Sequence, residues 1–267
     1  MTRTIKTHFA GLLTFMFLLV NSSYGQDASK TDLEFDHLVI FVNNDALKDS
    51  LDKLFTPAEK LTTEHNSQGT IGHYYLFFNT FIELLFLEDS TKALQNTENF
   101  GSNYIQRWAR GDSTCPIGFG MKMSPWDTSL VGKNFHNYQS NDSPDEEYYL
   151  MSNYNTNLKQ PLIYVSMPHR AYKTIKTLED IDQRPEEIRD DLEKYITHIS
   201  HVKNLTQITY TFSNKNKNKG NTELLNGDPK INIDRADSCS LVLVFDNRRK
   251  NRKEFKLNEE TSLIINY

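Results

Sequence analysis

The order of apolar and polar residues early in the chain predicts a strand followed by a helix. Residues 38–42 form an unbroken apolar run, which is typical of a strand buried on both faces. Across residues 47–55, apolar side chains recur at helical spacing while charged ones fill the other side. Either Asn44 or Asp45 can cap this helix.

Three strand-like segments follow the helix: a weak one at residues 60–64, then residues 72–78, then residues 81–87. Asn79 and Thr80 separate the last two, which is the length of a tight hairpin turn. The first part of the chain therefore predicts a β-α-β-β-β unit.

A second, less regular unit is predicted further along the chain. Its first strand is "IGFGMKM" (residues 117–123) and its last is "LIYVSM" (residues 162–167). Residues 147–151 are a plausible strand between them, and residues 153–160 resemble a connecting loop.

The remainder of the chain predicts one helix and then strands. Pro185 opens an amphipathic helix whose apolar stripe ends near Ile199. Predicted strands follow at residues 205–212, 231–233, 241–245 and 262–266. The polar, low-complexity stretch at residues 214–221 predicts a loop with no role in chemistry.

The N-terminal 25 residues have the features of a secretory signal peptide. Arg3 and Lys6 precede an apolar run at residues 9–20, and small residues follow at the position that a signal peptidase reads. We therefore expect a secreted or periplasmic protein that is not stably inserted in a membrane after cleavage before Gln26. The alternative is a retained membrane anchor, although no positive cluster follows the apolar run to stop transfer.

Charge and cysteine content narrow the classes of function. The net charge is −5, and it becomes more negative once Arg3 and Lys6 are removed, so we expect no nucleic-acid partner. The basic stretch at residues 248–253 lies between two predicted strands, where a solvated turn is expected. Cys115 and Cys239 match no zinc motif, and whether they form a disulfide depends on a Cα separation that the sequence does not supply.

Several stretches resemble the glyoxalase-like domain of the vicinal oxygen chelate superfamily: "FDHLVIFVNNDALKDSLDKLF", "GTIGHYYLFFNTFIELLFLE", "WARGDSTCPIGFGMKM", "PLIYVSMP" and "HISHVKNL". The resemblance covers residues 33–212. It implies an α+β fold of paired βαβββ modules, at about residues 33–89 and 116–168, whose mixed sheet curves around a cavity. Residues 213–267 would then be a strand-rich C-terminal extension packed on the same unit.

The resemblance also implies a site. In metal-using members, a histidine on the first strand and a glutamate on the last strand of a module bind a divalent metal, and the matching residues here are His37 and Glu83. Glu83 is then also the catalytic candidate. The second module supplies no matching ligand, because Gly118 and Val165 stand at the corresponding positions. Glutamine can ligate, so Gln207 becomes a candidate if the C-terminal segment completes the site.

The residues themselves support the same candidates. Glu83 lies in an apolar strand, where a carboxylate is costly unless it is paired or functional. His37 is either a cavity residue or a core histidine bonded to the backbone. His73 and Tyr75, on the strand before Glu83, are candidate cavity-wall or ligand-binding residues.

Motifs for serine-triad hydrolysis, nucleotide binding and zincin chemistry are absent from the sequence. Two functions remain. One is a metal-assisted lyase or isomerase acting on a small oxygenated molecule. The other is a non-catalytic small-molecule-binding protein with a degenerate metal site, so a divalent metal and no cofactor at all are both compatible with the sequence.

Overall fold

Strand β1, Leu33–Val42, lies at the centre of a mixed sheet and is buried over almost its whole length. The computed structural model describes residues 33–100, 104–109, 114–127, 131, 133–139, 148–168, 171–176, 178–182, 186–213, 220–236 and 239–267. The predicted signal peptide, and the start of the helix predicted at Pro185, lie outside these residues. Among the residues described, no helix is both long and apolar enough to span a bilayer.

Eight strands form the first sheet, called here the large sheet: β1, β2 (Thr63–His65), β3 (Thr70–Leu76), β4 (Phe81–Leu87), β5 (Ile117–Met123), β6 (Phe135–Tyr138), β7 (Tyr149–Ser152) and β8 (Leu162–Ser166). Their order is β2-β3-β4-β1-β5-β8-β7-β6. Strand β1 is parallel to β4, β5 is parallel to β8, and β1 and β5 pair antiparallel at the centre.

Five strands form the second sheet, called here the small sheet: β9 (Leu205–Ser213), β10 (Ile231–Ala236), β11 (Cys239–Phe245), β12 (Arg252–Lys256) and β13 (Thr261–Asn266). Their order is β10-β9-β11-β13-β12. The predicted α+β class, with few helices and mixed sheets, is confirmed.

The helices are α1 (Ala46–Leu51), α2 (Ser90–Phe100), α3 (Tyr104–Ala109), α4 (Leu178–Asp182), α5 (Glu186–Ile196) and α6 (Asn221–Leu225), with short 3-10 helices at Glu59–Leu61 and Asn153–Thr156. Helix α1 is shorter than predicted. Of its two candidate caps, Asn44 accepts a hydrogen bond from the N–H of Ala46 at 3.0 Å, whereas Asp45 makes no side-chain cap.

The main hydrophobic core lies between the two sheets and under α1. Leu38 and Ile40 of β1 join it from the large sheet, and Leu241 and Leu263 join it from the small sheet. Because successive side chains of a strand alternate between its faces, the other set on β1, which includes His37, points to the opposite side. His37 therefore lies on the face of the large sheet that the main core does not use.

The second half of the large sheet differs from the first. The described residues between β5 and β6 include no helix. Strand β9 of the small sheet packs against this half of the large sheet instead. The centroid of the Tyr210 ring on β9 lies 6.1 Å from that of the Phe119 ring on β5. A strand-rich segment thus covers the part of the large sheet where a second helix was expected.

The cysteines and the basic stretch have simple surroundings. Cys115 is buried and Cys239 is half-buried, and the possible disulfide between them is not formed. The stretch at residues 248–253 is exposed throughout; it forms a connecting loop up to Asn251 and then begins β12 at Arg252.

Candidate functional site

A cavity of about 280 Å³ opens on the face of the large sheet opposite the main core. Strands β1 to β4 supply one wall and β7 and β8 supply the other. We call it the site cavity. Most of its lining residues can hydrogen bond and the others are apolar: His37, Val39, Phe41, Thr63, His65, Gln68, Tyr74, Glu83, Leu85, Tyr149, Met151, Leu162, Tyr164 and Ser166.

The first polar group of the site cavity is a chain of three side chains centred on His37, which is 5% exposed. Its Nδ1 lies 2.7 Å from the buried Oδ2 of Asp36, and its Nε2 is hydrogen-bonded to the hydroxyl of Tyr164. A carboxylate only accepts hydrogen bonds, so Nδ1 carries the proton of the contact with Asp36; with the other nitrogen unprotonated, Nε2 is the acceptor for the hydroxyl of Tyr164. We call Asp36, His37 and Tyr164 the relay.

Local backbone structure brings the relay together. The pairing register of β1 with β5 shifts at Phe35 to His37. An irregularity of this kind changes the direction of side chains, so those of two successive residues, Asp36 and His37, can contact each other. The backbone N–H of Tyr172 donates to Oδ1 of Asp36 at 2.7 Å, which leaves Oδ2 for the imidazole.

Two neighbours fix the imidazole ring of His37. The ring of Phe81 stacks on it with a centroid distance of 4.1 Å. On the facing strand, a Cβ atom at Gly120 would overlap the imidazole, so glycine there leaves the space that the ring occupies. The ring is therefore held in the plane that connects Asp36 to Tyr164.

The second polar group is built on Glu83, which is 7% exposed. Its Oε1 accepts a hydrogen bond from the hydroxyl of Tyr74 at 3.1 Å and lies 3.3 Å from Nε2 of His65. Burial opposes ionisation of Glu83, but the hydrogen bond and charge of His65, with smaller contributions from His37 and Tyr74, outweigh it and hold the pKa of Glu83 below its ordinary value. Burial and the Glu83 charge raise the pKa of Tyr74, so Tyr74 stays a donor.

The structure brings His37 and Glu83 to the same cavity, but it places the other three predicted site residues elsewhere. Glu83 is paired with Tyr74 across β3 and β4, so the flanking residues of β3, His73 and Tyr75, point to the opposite face. The hydroxyl of Tyr75 donates to Oδ1 of Asp52 at 2.7 Å, beside α1. The expectation that His73 and Tyr75 line the cavity is therefore wrong.

The remaining predicted residue, Gln207, belongs to β9 of the small sheet. Its Oε1 accepts a hydrogen bond from Nη2 of the exposed Arg249 at 3.0 Å. It is not among the residues that line the site cavity, because the small sheet packs on the other face of the large sheet. The C-terminal segment therefore does not complete the site through Gln207.

The site cavity does not fit a divalent metal. Both ring nitrogens of His37 are engaged, one by Asp36 and the other by Tyr164. Within the described part of the chain, no group of three or more His, Cys, Asp or Glu side chains is placed to hold a metal ion. A metal held by three or four protein ligands needs such a group, and the described side chains do not form one.

Sequence reasoning missed most partners of the two candidate residues. Asp36 could have been suspected from its place beside His37 in an otherwise apolar strand. Tyr164 was passed over because Val165 was matched to the position of Glu83, one residue out of phase, and Val165 lies in the main core. His65 lies one residue beyond the weak strand predicted at residues 60–64, where nothing in the pattern marked it.

Comparison with models of known protein families finds no match, and comparison with curated proteins finds none either. Among solved structures, the chain is similar to a hypothetical protein from Staphylococcus aureus, with a TM-score of 0.49 and 10% sequence identity. The similarity covers 87% of this chain and 98% of the other.

Proposed function

We propose that this is an exported glyoxalase-like protein that isomerises a small α-hydroxy carbonyl compound by acid–base chemistry without a metal. The observation that carries the proposal is the relay, which ends at the hydroxyl of Tyr164 in a cavity that also contains the Glu83 carboxylate.

Strand order supports the glyoxalase-like part of the proposal. In each half of the large sheet, the first strand is parallel to the last: β1 to β4, and β5 to β8. The two halves meet through the antiparallel pair β1 and β5. Paired βαβββ modules have this arrangement. In this chain, the small sheet would take the place of the second module's helix.

The relay is suited to moving a proton between oxygen atoms. A substrate hydroxyl gives its proton to the oxygen of Tyr164 as Tyr164 passes its own proton to Nε2 of His37. The Asp36 carboxylate stabilises the imidazolium that forms, and it is itself held by the N–H of Tyr172. Reversal of the same steps returns the proton to the neighbouring substrate oxygen, so the relay ends as it began.

Glu83 is suited to moving a proton between carbon atoms. Because its pKa is held below the ordinary value, it is ionised, and a carbonyl group acidifies the C–H bond on the adjacent hydroxyl-bearing carbon. Glu83 takes this proton and the substrate becomes an enediolate with one negative charge; the relay moves the hydroxyl proton from one oxygen to the other, and Glu83 then delivers its proton to the former carbonyl carbon. His65 and Tyr74 hold Oε1 and orient the carboxylate.

Proton exchange with heavy water tests the proposal. Small α-hydroxy ketones are incubated with the protein in D₂O, and loss of the proton on the hydroxyl-bearing carbon is followed by ¹H NMR. Wild type should catalyse exchange and Glu83→Gln should not. Glu64→Gln is the matched control, because Glu64 is an exposed glutamate on β2 outside the site cavity. Exchange at the same rate in wild type and Glu83→Gln would refute the proposal.

A second candidate is a small-molecule-binding protein without catalysis. The observation that favours it is that the polar atoms of His37 and Oε1 of Glu83 already have partners within the protein. The same experiment separates the two functions, since a binding protein would change the NMR signals of a ketone in proportion to its occupancy and leave its protons unexchanged.

A further inference from the structure

A second cavity of different chemistry adjoins the site cavity. This apolar groove, about 300 Å³ in volume, is lined by Leu61, Thr63, Tyr74, Leu76, Phe81, Tyr172, Ile175 and Leu192. Thr63 and Tyr74 line both cavities. The two cavities are therefore neighbours, with Thr63 and Tyr74 at their boundary.

The aromatic rings at the boundary connect the two cavities chemically. Tyr74 turns its hydroxyl to Glu83, while its ring lies on the groove side, 5.8 Å from Phe81. Phe81 stacks on His37 and also lines the groove. One ring thus separates the relay from the groove, so an apolar group in the groove lies next to the groups proposed to transfer protons.

The groove is apolar and its few polar atoms are already used. The hydroxyl of Tyr172 donates to the carbonyl of Phe77 at 2.7 Å, and that of Tyr74 donates to Glu83. The side chains of Leu61, Tyr74, Phe81 and Tyr172 are only partly buried, although they pack on a core cluster that includes Leu192. Apolar surface of this kind gains free energy when an apolar ligand group covers it.

We infer that the natural ligand is amphipathic: a neutral α-hydroxy carbonyl head binds between Tyr164 and Glu83, and an alkyl chain lies in the groove. The head is neutral because the Glu83 carboxylate would repel a second anion in the same cavity. This inference rests on the proposed function for the identity of the head, while the chain is deduced from the groove alone.

A homologous series of straight-chain ketones tests the inference. The affinities of 1-hydroxybutan-2-one, 1-hydroxyhexan-2-one and 1-hydroxyoctan-2-one are measured by calorimetry. Each methylene buried contributes about 0.8 kcal/mol, so the affinity for wild type should rise about fourfold per added methylene until the groove is filled.

A variant that fills the groove provides the decisive comparison. Leu61 lines the groove but not the site cavity, so Leu61→Trp should abolish the rise with chain length and leave the affinity for the shortest ketone unchanged. Leu94→Trp is the control, because Leu94 is 48% exposed on α2 and lines neither cavity. If Leu61→Trp does not fold, as judged by its melting curve, Leu61→Ala should show a shallower rise than wild type.

Three results would overturn the inference: no dependence on chain length, the same dependence in wild type and in the Leu61 variants, or no binding by any ketone of the series. These results can be distinguished from a failure of the proposed catalysis. Binding that strengthens with chain length but gives no deuterium exchange would refute the catalysis and support the groove. Exchange that does not depend on chain length would refute the groove alone.

Discussion

Substitution of His198 by glutamine should change how the stability of the protein depends on pH. The imidazole is 2% exposed. Its Nδ1 accepts the N–H of Thr56 at 3.0 Å, and its Nε2 donates to the carbonyl oxygen of Leu76 at 2.7 Å, so the neutral ring satisfies both contacts. Burial lowers the pKa of His198 to about 4, against the smaller opposing effect of the Leu76 hydrogen bond.

The direction and size of the effect follow from this pKa. The unfolded chain binds a proton at His198 below its ordinary pKa of 6.5, whereas the folded chain does so only below about 4. The stability that the neutral ring contributes is therefore complete above pH 6.5 and is lost as the pH falls from 6.5 to about 4. At about 1.36 kcal/mol for each unit of pKa, the loss is roughly 3 kcal/mol.

Urea unfolding of wild type and His198→Gln across this pH range measures the loss. The difference in the free energy of unfolding between the two proteins should shrink by roughly 3 kcal/mol from neutral pH to pH 4. Ile199→Ala, which shortens an exposed side chain next to His198 and changes no titratable group, should show a difference from wild type that does not depend on pH. A difference between wild type and His198→Gln that stays constant with pH would refute the reasoning.

Two further predictions concern the core and the metal. Leu51→Ala should lower the free energy of unfolding by about 2 to 5 kcal/mol, because Leu51 is fully buried under the large sheet, whereas Leu94→Ala at an exposed position should change it by less than about 0.5 kcal/mol; equal effects would contradict the helix assignment. Added manganese, zinc or nickel should shift the melting temperatures of wild type, His37→Gln and Glu83→Gln alike, since the donor groups do not fit a metal. A rise in melting temperature confined to wild type would instead support a metal site formed by His37 and Glu83.

The strands that sequence patterns predicted best are those buried on both faces. The apolar run at residues 38–42 became the core of β1, and β5 was predicted with its observed bounds, Ile117–Met123. Strand β12, Arg252–Lys256, was missed because four of its five residues are charged and exposed. What makes it a strand is its backbone pairing with β13, which no pattern within β12 records.

Only part of the candidate site was predicted, because its pairing partners, like those of β12, lie on other strands. A polar residue in an apolar strand is visible in the sequence, so His37 and Glu83 were found. Its partners depend on register, and a shift of one residue exchanges the two faces of a strand. This is why His73 and Tyr75 were assigned to the wrong face, and why Val165 was matched to the position that Tyr164 occupies.

Burial of isolated histidines was equally hidden from the sequence. The residues next to His198 in the sequence do not mark it as buried, yet its ring contacts Leu76 on β3 and Thr56 after α1. Both partners lie far from His198 in the sequence, so only the tertiary structure identifies them.

The central claim, that the relay moves protons in the site cavity, is tested most directly by deuterium exchange in Tyr164→Phe. Tyr149→Phe is the matched control, because Tyr149 lines the same cavity without being part of the relay. Removing the Tyr164 hydroxyl should slow exchange of the α-hydroxy ketone by about 10²- to 10⁴-fold, the usual contribution of a general acid–base group, while Tyr149→Phe should exchange at close to the wild-type rate. Equal exchange rates in Tyr164→Phe and wild type would contradict the relay.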